Sequence, residues 1–189
     1  MNSPGDGRRR LLSPRLVMIS GPIASGKSTL AAELVRVLRH EGLSVALTDL
    51  DTVAGMALPG MPDWNWAHAV HAQLVAAWLA TDVDVVIDEG TSSLTEVRQV
   101  LAHVSTGTDV FHVVLTADYD KSLARARADA GRGLSQDPDF LRADHDAYSR
   151  HLADLPCSLR LHVEGLEPAD LAEHVLVHLA LTTPTPPGP

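Results

Sequence analysis

The run Gly21-Pro22-Ile23-Ala24-Ser25-Gly26-Lys27-Ser28 constrains this chain more than any other feature. It has the spacing of a phosphate-binding loop (P-loop): a glycine, four residues, then Gly-Lys-Ser. Glycines at both ends let the backbone turn tightly and aim successive N–H groups at phosphate oxygens. The helix expected to begin there adds the positive end of its dipole. Lys27 is placed to reach β- and γ-phosphates, and the Ser28 hydroxyl to ligate Mg²⁺. The whole run from Gly21 to Ser28, with Thr29 after it, is therefore the expected nucleotide-phosphate site. Its surroundings agree. Leu16 to Ser20 is a short apolar run suited to a buried parallel strand. Thr29 to His40 reads as a helix with Leu30, Leu34, Val37 and Leu38 on one face and Gly42 past its end. Only two lysines occur, Lys27 and Lys121, against thirteen arginines, so lysine at this point is a specific choice.

Strand and helix patterns alternate from Arg15 to about Leu181. Strands are expected at 44–48, 83–87, 110–115 and 159–163, and helices at 66–80, from Ser93 to 104, at 119–130, 139–152 and 168–180. Thr52 to Asn65 reads as a loop. The helix over 66–80 is expected to bury Val70, Leu74, Ala77 and Trp78. Five strands separated by helices predict an α/β fold, a doubly wound, mostly parallel five-stranded sheet with helices on both faces. Residues 1–14 read as a flexible tail, 15–181 as one domain, and 182–189 as a disordered proline-rich tail.

Ligands of such sheets lie beyond the carboxyl ends of the strands. Asp49-Leu50-Asp51 falls there after the second strand, and Asp88-Glu89 after the third. One acid near a metal and one near an acceptor is a sensible division for phosphoryl transfer, the second taking a proton from an attacking hydroxyl. Asp49 and Asp51 equally suit turn formation or helix capping. Arg125, Arg127 and Arg132 surround the glycine-flanked segment 131–138, which can serve as a lid bringing positive charge over a transferred phosphate. Trp64 and Trp66, with Met56 and Met61, suit either an acceptor pocket wall or core packing. The cluster Asp144-His145-Asp146 reads as helix surface. His68/His71 and His174/His178 each share a helix face without a metalloprotease-type pattern.

The net charge of −9 argues against general nucleic-acid binding. No apolar stretch reaches the ~18 residues of a membrane span, and residues 1–13 lack the apolar core of a signal peptide. The single Cys157 excludes an internal disulfide and suits a reducing cytoplasm.

On these motifs the chain resembles the small P-loop kinases, the group containing shikimate kinase, gluconate kinase, zeta-toxin sugar-nucleotide kinases and chloramphenicol phosphotransferase. Asp49-Leu50-Asp51 is similar to the Asp-x-Asp after strand two of shikimate and gluconate kinases. Leu50-Asp51-Thr52-Val53 resembles the Val-Asp-Ser-Leu of chloramphenicol phosphotransferase, and Val85-Val86-Ile87-Asp88-Glu89 resembles that enzyme's third-strand acid. The resemblance implies ATP and Mg²⁺ as cofactors and a small-molecule hydroxyl acceptor, a metabolite or an antibiotic. It implies Asp51 as the acceptor-side base, with Lys27 and Arg132 catalytic. Ser28, Asp49 and Asp88 would be metal-associated, and Arg125 or Arg127 would lie on the adenine. Where the shikimate pattern has a carboxylate-binding arginine and glycines, this chain has Gly90-Thr91-Ser92-Ser93. A nucleoside or nucleotide kinase, or a non-catalytic ATP-binding module, is the alternative. Self-association is left open. The Asn-Lys-x-Asp motif of a GTPase is absent.

Overall fold

The computed structural model describes residues 13–57 and 63–181, without the side chains of residues 130, 132, 180 and 181. The tails expected at 1–14 and 182–189 lie outside it, apart from Ser13 and Pro14, and so does Met61.

Five strands form one all-parallel sheet: β1 Arg15–Ser20, β2 Val45–Asp49, β3 Val85–Thr91, β4 Asp109–Thr116 and β5 Leu159–His162, in the order β2-β3-β1-β4-β5. β1 is central, with Val17 beside Ile87 on one neighbour and Phe111 on the other. All six of its residues are buried, as a strand covered on both faces requires.

Strand alternation sorts the core into two layers. Val17, Ile19, Ile87, Val113 and Leu115 face α1 (Lys27–His40) and α7 (Pro168–Leu181). Leu16, Met18, Val86 and Val114 face α3 (Asn65–Leu79), α4 (Leu94–Leu101) and α6 (Pro138–His151). This parity decides which acids reach the P-loop.

Four local expectations change. The segment read as a loop begins with a helix, α2 (Leu50–Gly55), because the Asp49 carboxylate accepts from the Asp51 and Thr52 N–H groups and caps it. α3 buries Ala67, His71, Ala72 and Val75, while Val70 is 48% and Trp78 39% exposed. That helix is apolar on most of its circumference, so spacing alone did not single out the face, and the small residues are the ones that pack close to the sheet. β3 continues through Asp88 and Glu89 to Thr91. Between α5 (Tyr119–Ala128) and α6, residues Ala130–Gln136 form a 3₁₀ segment kinked at Gly133.

α4 starts as expected. Ser93 and Glu96 form a capping box, the Ser93 hydroxyl accepting from the Glu96 N–H and the Glu96 carboxylate from the Ser93 N–H.

Candidate functional site

The P-loop leaves β1 at Ser20, whose hydroxyl is hydrogen-bonded to Thr91 Oγ1 at 2.6 Å and to His112 Nε2 at 2.7 Å. Burial pushes His112 down to about 4, so its ring is neutral near pH 7 and acts here as a hydrogen-bonding spacer. Gly21 follows. A Cβ there would stand 2.5 Å from Ser25 Oγ and 3.1 Å from the Leu115 Cβ, so the first loop glycine is required by close approach. Ala24 has φ 59° and Gly26 φ 92°, the latter capping α1 in the left-handed conformation. Left-handed Ala24 is uncommon for a residue with a side chain, and such strain gathers at ligand-binding turns.

Lys27 Nζ donates to the Gly21 carbonyl at 2.9 Å and the Pro22 carbonyl at 3.1 Å. Removal from water lowers its pKa, opposed by the charges of Glu89, Asp144, Asp51 and Glu96. The lysine is therefore curled over its own loop, and the charges of four acids, Asp51 among them, act on it.

Of the two acids ending β3, Glu89 faces the P-loop. It shares the face of Ile87 and Val85 toward α1, is buried, and lies close enough to Ser28 for that side chain to favour its charged form. Burial raises its pKa and the Ser28 contact works against that rise; Asp49 and Asp51 push it further up and Lys27 pulls it down. Asp88 was expected beside the metal, and the structure corrects this. Its side chain points to the opposite face, fully buried, where Oδ1 accepts from Thr48 Oγ1 at 2.9 Å and lies 2.9 Å from His71 Nε2. Gly90 has φ 121°, and a Cβ on it would stand 2.6 Å from the Leu50 Cβ, so the end of β3 can bulge only with glycine there.

Asp49, also expected at the metal, has both oxygens engaged in capping α2, with Thr52 Oγ1 at 2.6 Å from Oδ2. The structure thus selects helix capping, which its residue type allows, over free metal ligation. Asp51 stands in the exposed first turn of α2, and its charge acts on both Lys27 and Glu89. Among the described residues no three His, Cys, Asp or Glu side chains gather as a metal-holding set. The residues fit a Mg²⁺–nucleotide in another way, through one hydroxyl (Ser28), one carboxylate (Glu89) and phosphate oxygens.

The lid arginines separate. Arg125 donates to Glu164 Oε1 at 2.8 Å, tying α5 to the connection after β5. Arg127 is exposed, and the Arg132 side chain lies outside the description. Trp64 is 50% exposed at the start of α3 and Met56 is 73% exposed, while Trp66 is half-buried. His68 Nε2 lies 3.7 Å from Glu96 Oε1. One feature read as helix surface belongs to the site: Asp144 and His145 of α6 contact the P-loop at Ile23. A pair separated from the loop by more than 120 residues carries no local signal of that contact.

The buried His71–Asp88 pair makes a stability prediction. Burial disfavours the His71 imidazolium, but the Asp88 carboxylate 2.9 Å away, with the charges of Asp49 and Glu89, outweighs it and raises the pKa above 6.5. Its stabilisation is complete below pH 6.5 and is lost as pH rises through the raised folded value. The melting temperature should fall across that window by a few degrees, on the order of 2–4 °C per kcal/mol for a domain of this size. His71→Gln should flatten the dependence, and equal slopes for both proteins in calorimetry between pH 6 and 9 would refute the assignment.

A family model described as an AAA domain matches residues 16–155. Among curated proteins none matches the chain in sequence. Solved structures share its fold. A gluconokinase from Sinorhizobium meliloti 1021 superposes with TM-score 0.63 at 14% identity, covering 92% of this chain and 94% of that one. The tunicamycin resistance protein of Deinococcus radiodurans gives 0.64 at 16%, covering 92% and 99%. Shikimate kinase from Acinetobacter baumannii, in complex with shikimate, gives 0.59 at 17%, covering 90% and 96%.

Proposed function

From the premise that this chain belongs to the AAA-domain family and has the fold of the small P-loop kinases, we propose that it is an ATP-dependent phosphotransferase acting on a hydroxyl of a small molecule. The observation that supports the reading is that Asp51, in the first turn of the helix after β2, lies close enough for its charge to act on Lys27. A carboxylate near the phosphate-binding lysine but on a separate element suits an acceptor hydroxyl better than nucleotide binding alone.

In this reading the backbone N–H groups of residues 24–28 and the start of α1 receive the phosphates. Lys27 releases the Gly21 and Pro22 carbonyls and turns to the β- and γ-phosphates. Ser28 and Glu89 would hold a Mg²⁺ ion, which would supply neutralisation of the charge on the phosphate oxygens. Asp51 accepts the acceptor's hydroxyl proton as the phosphoryl group transfers in line. Arg125 and Arg127, from α5, are assigned to the adenine side, and Arg132 to the transferred group. Asp49 acts through its cap, holding α2 so that Asp51 faces the site.

Incubating the protein with Mg·ATP and a library of metabolites and antibiotics, and reading phosphorylated products by mass spectrometry, tests the reading. ATP turnover that no hydroxyl compound stimulates would count against it. Glu89→Gln supplies a second check. It should raise the Mg²⁺ concentration needed for half-maximal rate by about tenfold, the scale of one lost charged contact. It should also stabilise the ligand-free protein above pH 4.5, because a carboxylate whose charged form is disfavoured in the fold is removed. An unchanged Mg²⁺ dependence would remove Glu89 from the metal site.

A further inference from the structure

Ile23 is gripped from α6 at both of its backbone polar groups. Its N–H donates to Asp144 Oδ2 at 2.7 Å, and its carbonyl accepts from His145 Nε2 at 3.1 Å. The next residue is Ala24, held at φ 59°. A strained turn persists where its surroundings over-determine it, and the grip falls on the residue before the strain. Packing reinforces it. Ala24 is buried with Ala126 of α5 and Leu141 of α6, and Ile23, Tyr119 and Leu123 pack against them. The His145 ring is itself fixed: Tyr119 meets it edge-on with centroids 5.7 Å apart, Arg142 lies 3.3 Å over the Tyr119 ring, and the Tyr119 hydroxyl donates to the Pro138 carbonyl at 2.9 Å.

We propose that Asp144 and His145 are positioning residues for nucleotide binding. From the helix that follows the 3₁₀ segment, they clamp Ile23 and keep the P-loop backbone in its phosphate-receiving shape. The proposal rests on the nucleotide-binding half of the functional reading and not on the identity of the acceptor. The charge of Asp144 gives it a particular signature. A carboxylate close enough to act on Lys27 repels ATP, so its hydrogen bond and its charge work in opposite directions on affinity.

Two replacements separate them. Asp144→Asn removes the charge and keeps an acceptor oxygen for the Ile23 N–H, whereas Asp144→Ala removes both. Calorimetric titration with Mg·ATP and no acceptor should find the asparagine variant binding at least as tightly as wild type. The alanine variant should bind about tenfold or more weakly than the asparagine one, the scale of a lost charge-assisted or buried hydrogen bond. Equal affinities for the two variants, with both folded by thermal melting, overturn the clamp. Should Asp144→Ala fail to fold, the same comparison at His145 decides. His145→Gln can still donate to the Ile23 carbonyl and should bind more tightly than His145→Ala, and equality there overturns the clamp as well. A wild-type protein that does not bind ATP overturns the functional reading and the clamp together. ATP binding without any phosphorylated acceptor refutes only the former.

Discussion

Lys27→Ala should lower phosphoryl transfer by at least about 10²–10³-fold, the scale of one lost electrostatic contact to charge developing in the transition state. The structure explains why the loss should fall on rate and not on folding. Among the described residues the Lys27 ammonium hydrogen-bonds to the Gly21 and Pro22 carbonyls, both in its own loop, and Lys27 belongs to neither core layer. Water is partly withheld from it, which strengthens any contact it makes with phosphate and lowers its own pKa. Removing it leaves Glu89, Asp51, Asp144 and Glu96 without their shared cation, so a modest fall in melting temperature should accompany the change. Lys27→Met, which keeps the length of the stem, should show the same rate loss. Single-turnover transfer with enzyme in excess, beside thermal melting of each variant, is the measurement. Turnover at the wild-type rate would take the P-loop out of the mechanism.

Asp51→Asn should cost about 10²-fold or more in turnover, the range of a lost general base, while Mg·ATP affinity stays close to wild type. The expectation follows from position. Asp51 stands on the first turn of α2, set there by the Asp49 cap, whereas the carboxylate proposed for the metal is Glu89 on β3. The two acids should therefore fail differently. Asp51→Asn lowers the rate at saturating nucleotide, and Glu89→Gln moves the Mg²⁺ dependence. If Asp51→Asn instead loses nucleotide binding and keeps its rate at saturation, Asp51 belongs to the metal side. The acceptor-side base would then have to be sought elsewhere in the site.

Much of this is legible in the sequence. The P-loop spacing, the apolar run before it and the alternation of strand and helix led to an α/β parallel sheet with its site at the strand ends, and the chain has that fold. Local chemistry was equally legible at Ser93 and Glu96, where the capping box forms as its spacing implies. The α2 helix also carries a local signal in the chain. Asp49 three residues before Thr52 is an N-cap signal, but the glycines and prolines farther along made the whole segment read as loop.

What the chain order could not carry is orientation. A strand buried on both faces is apolar without alternation, so nothing in Val85-Val86-Ile87-Asp88-Glu89 says which acid will face α1; the sheet decides it, giving Glu89 to Ser28 and Asp88 to His71. The apolar circumference of α3 hides its buried face for the same reason. Contacts distant in sequence are likewise set only by packing, as where α6 brings Asp144 and His145 onto Ile23. The sequence by itself determined which chemical groups this protein has and near which end of the sheet they gather, because motif spacing and periodicity are local properties of the backbone. Tertiary structure alone decided which of those groups face one another, because that depends on strand parity and helix docking between segments that do not meet until the chain folds.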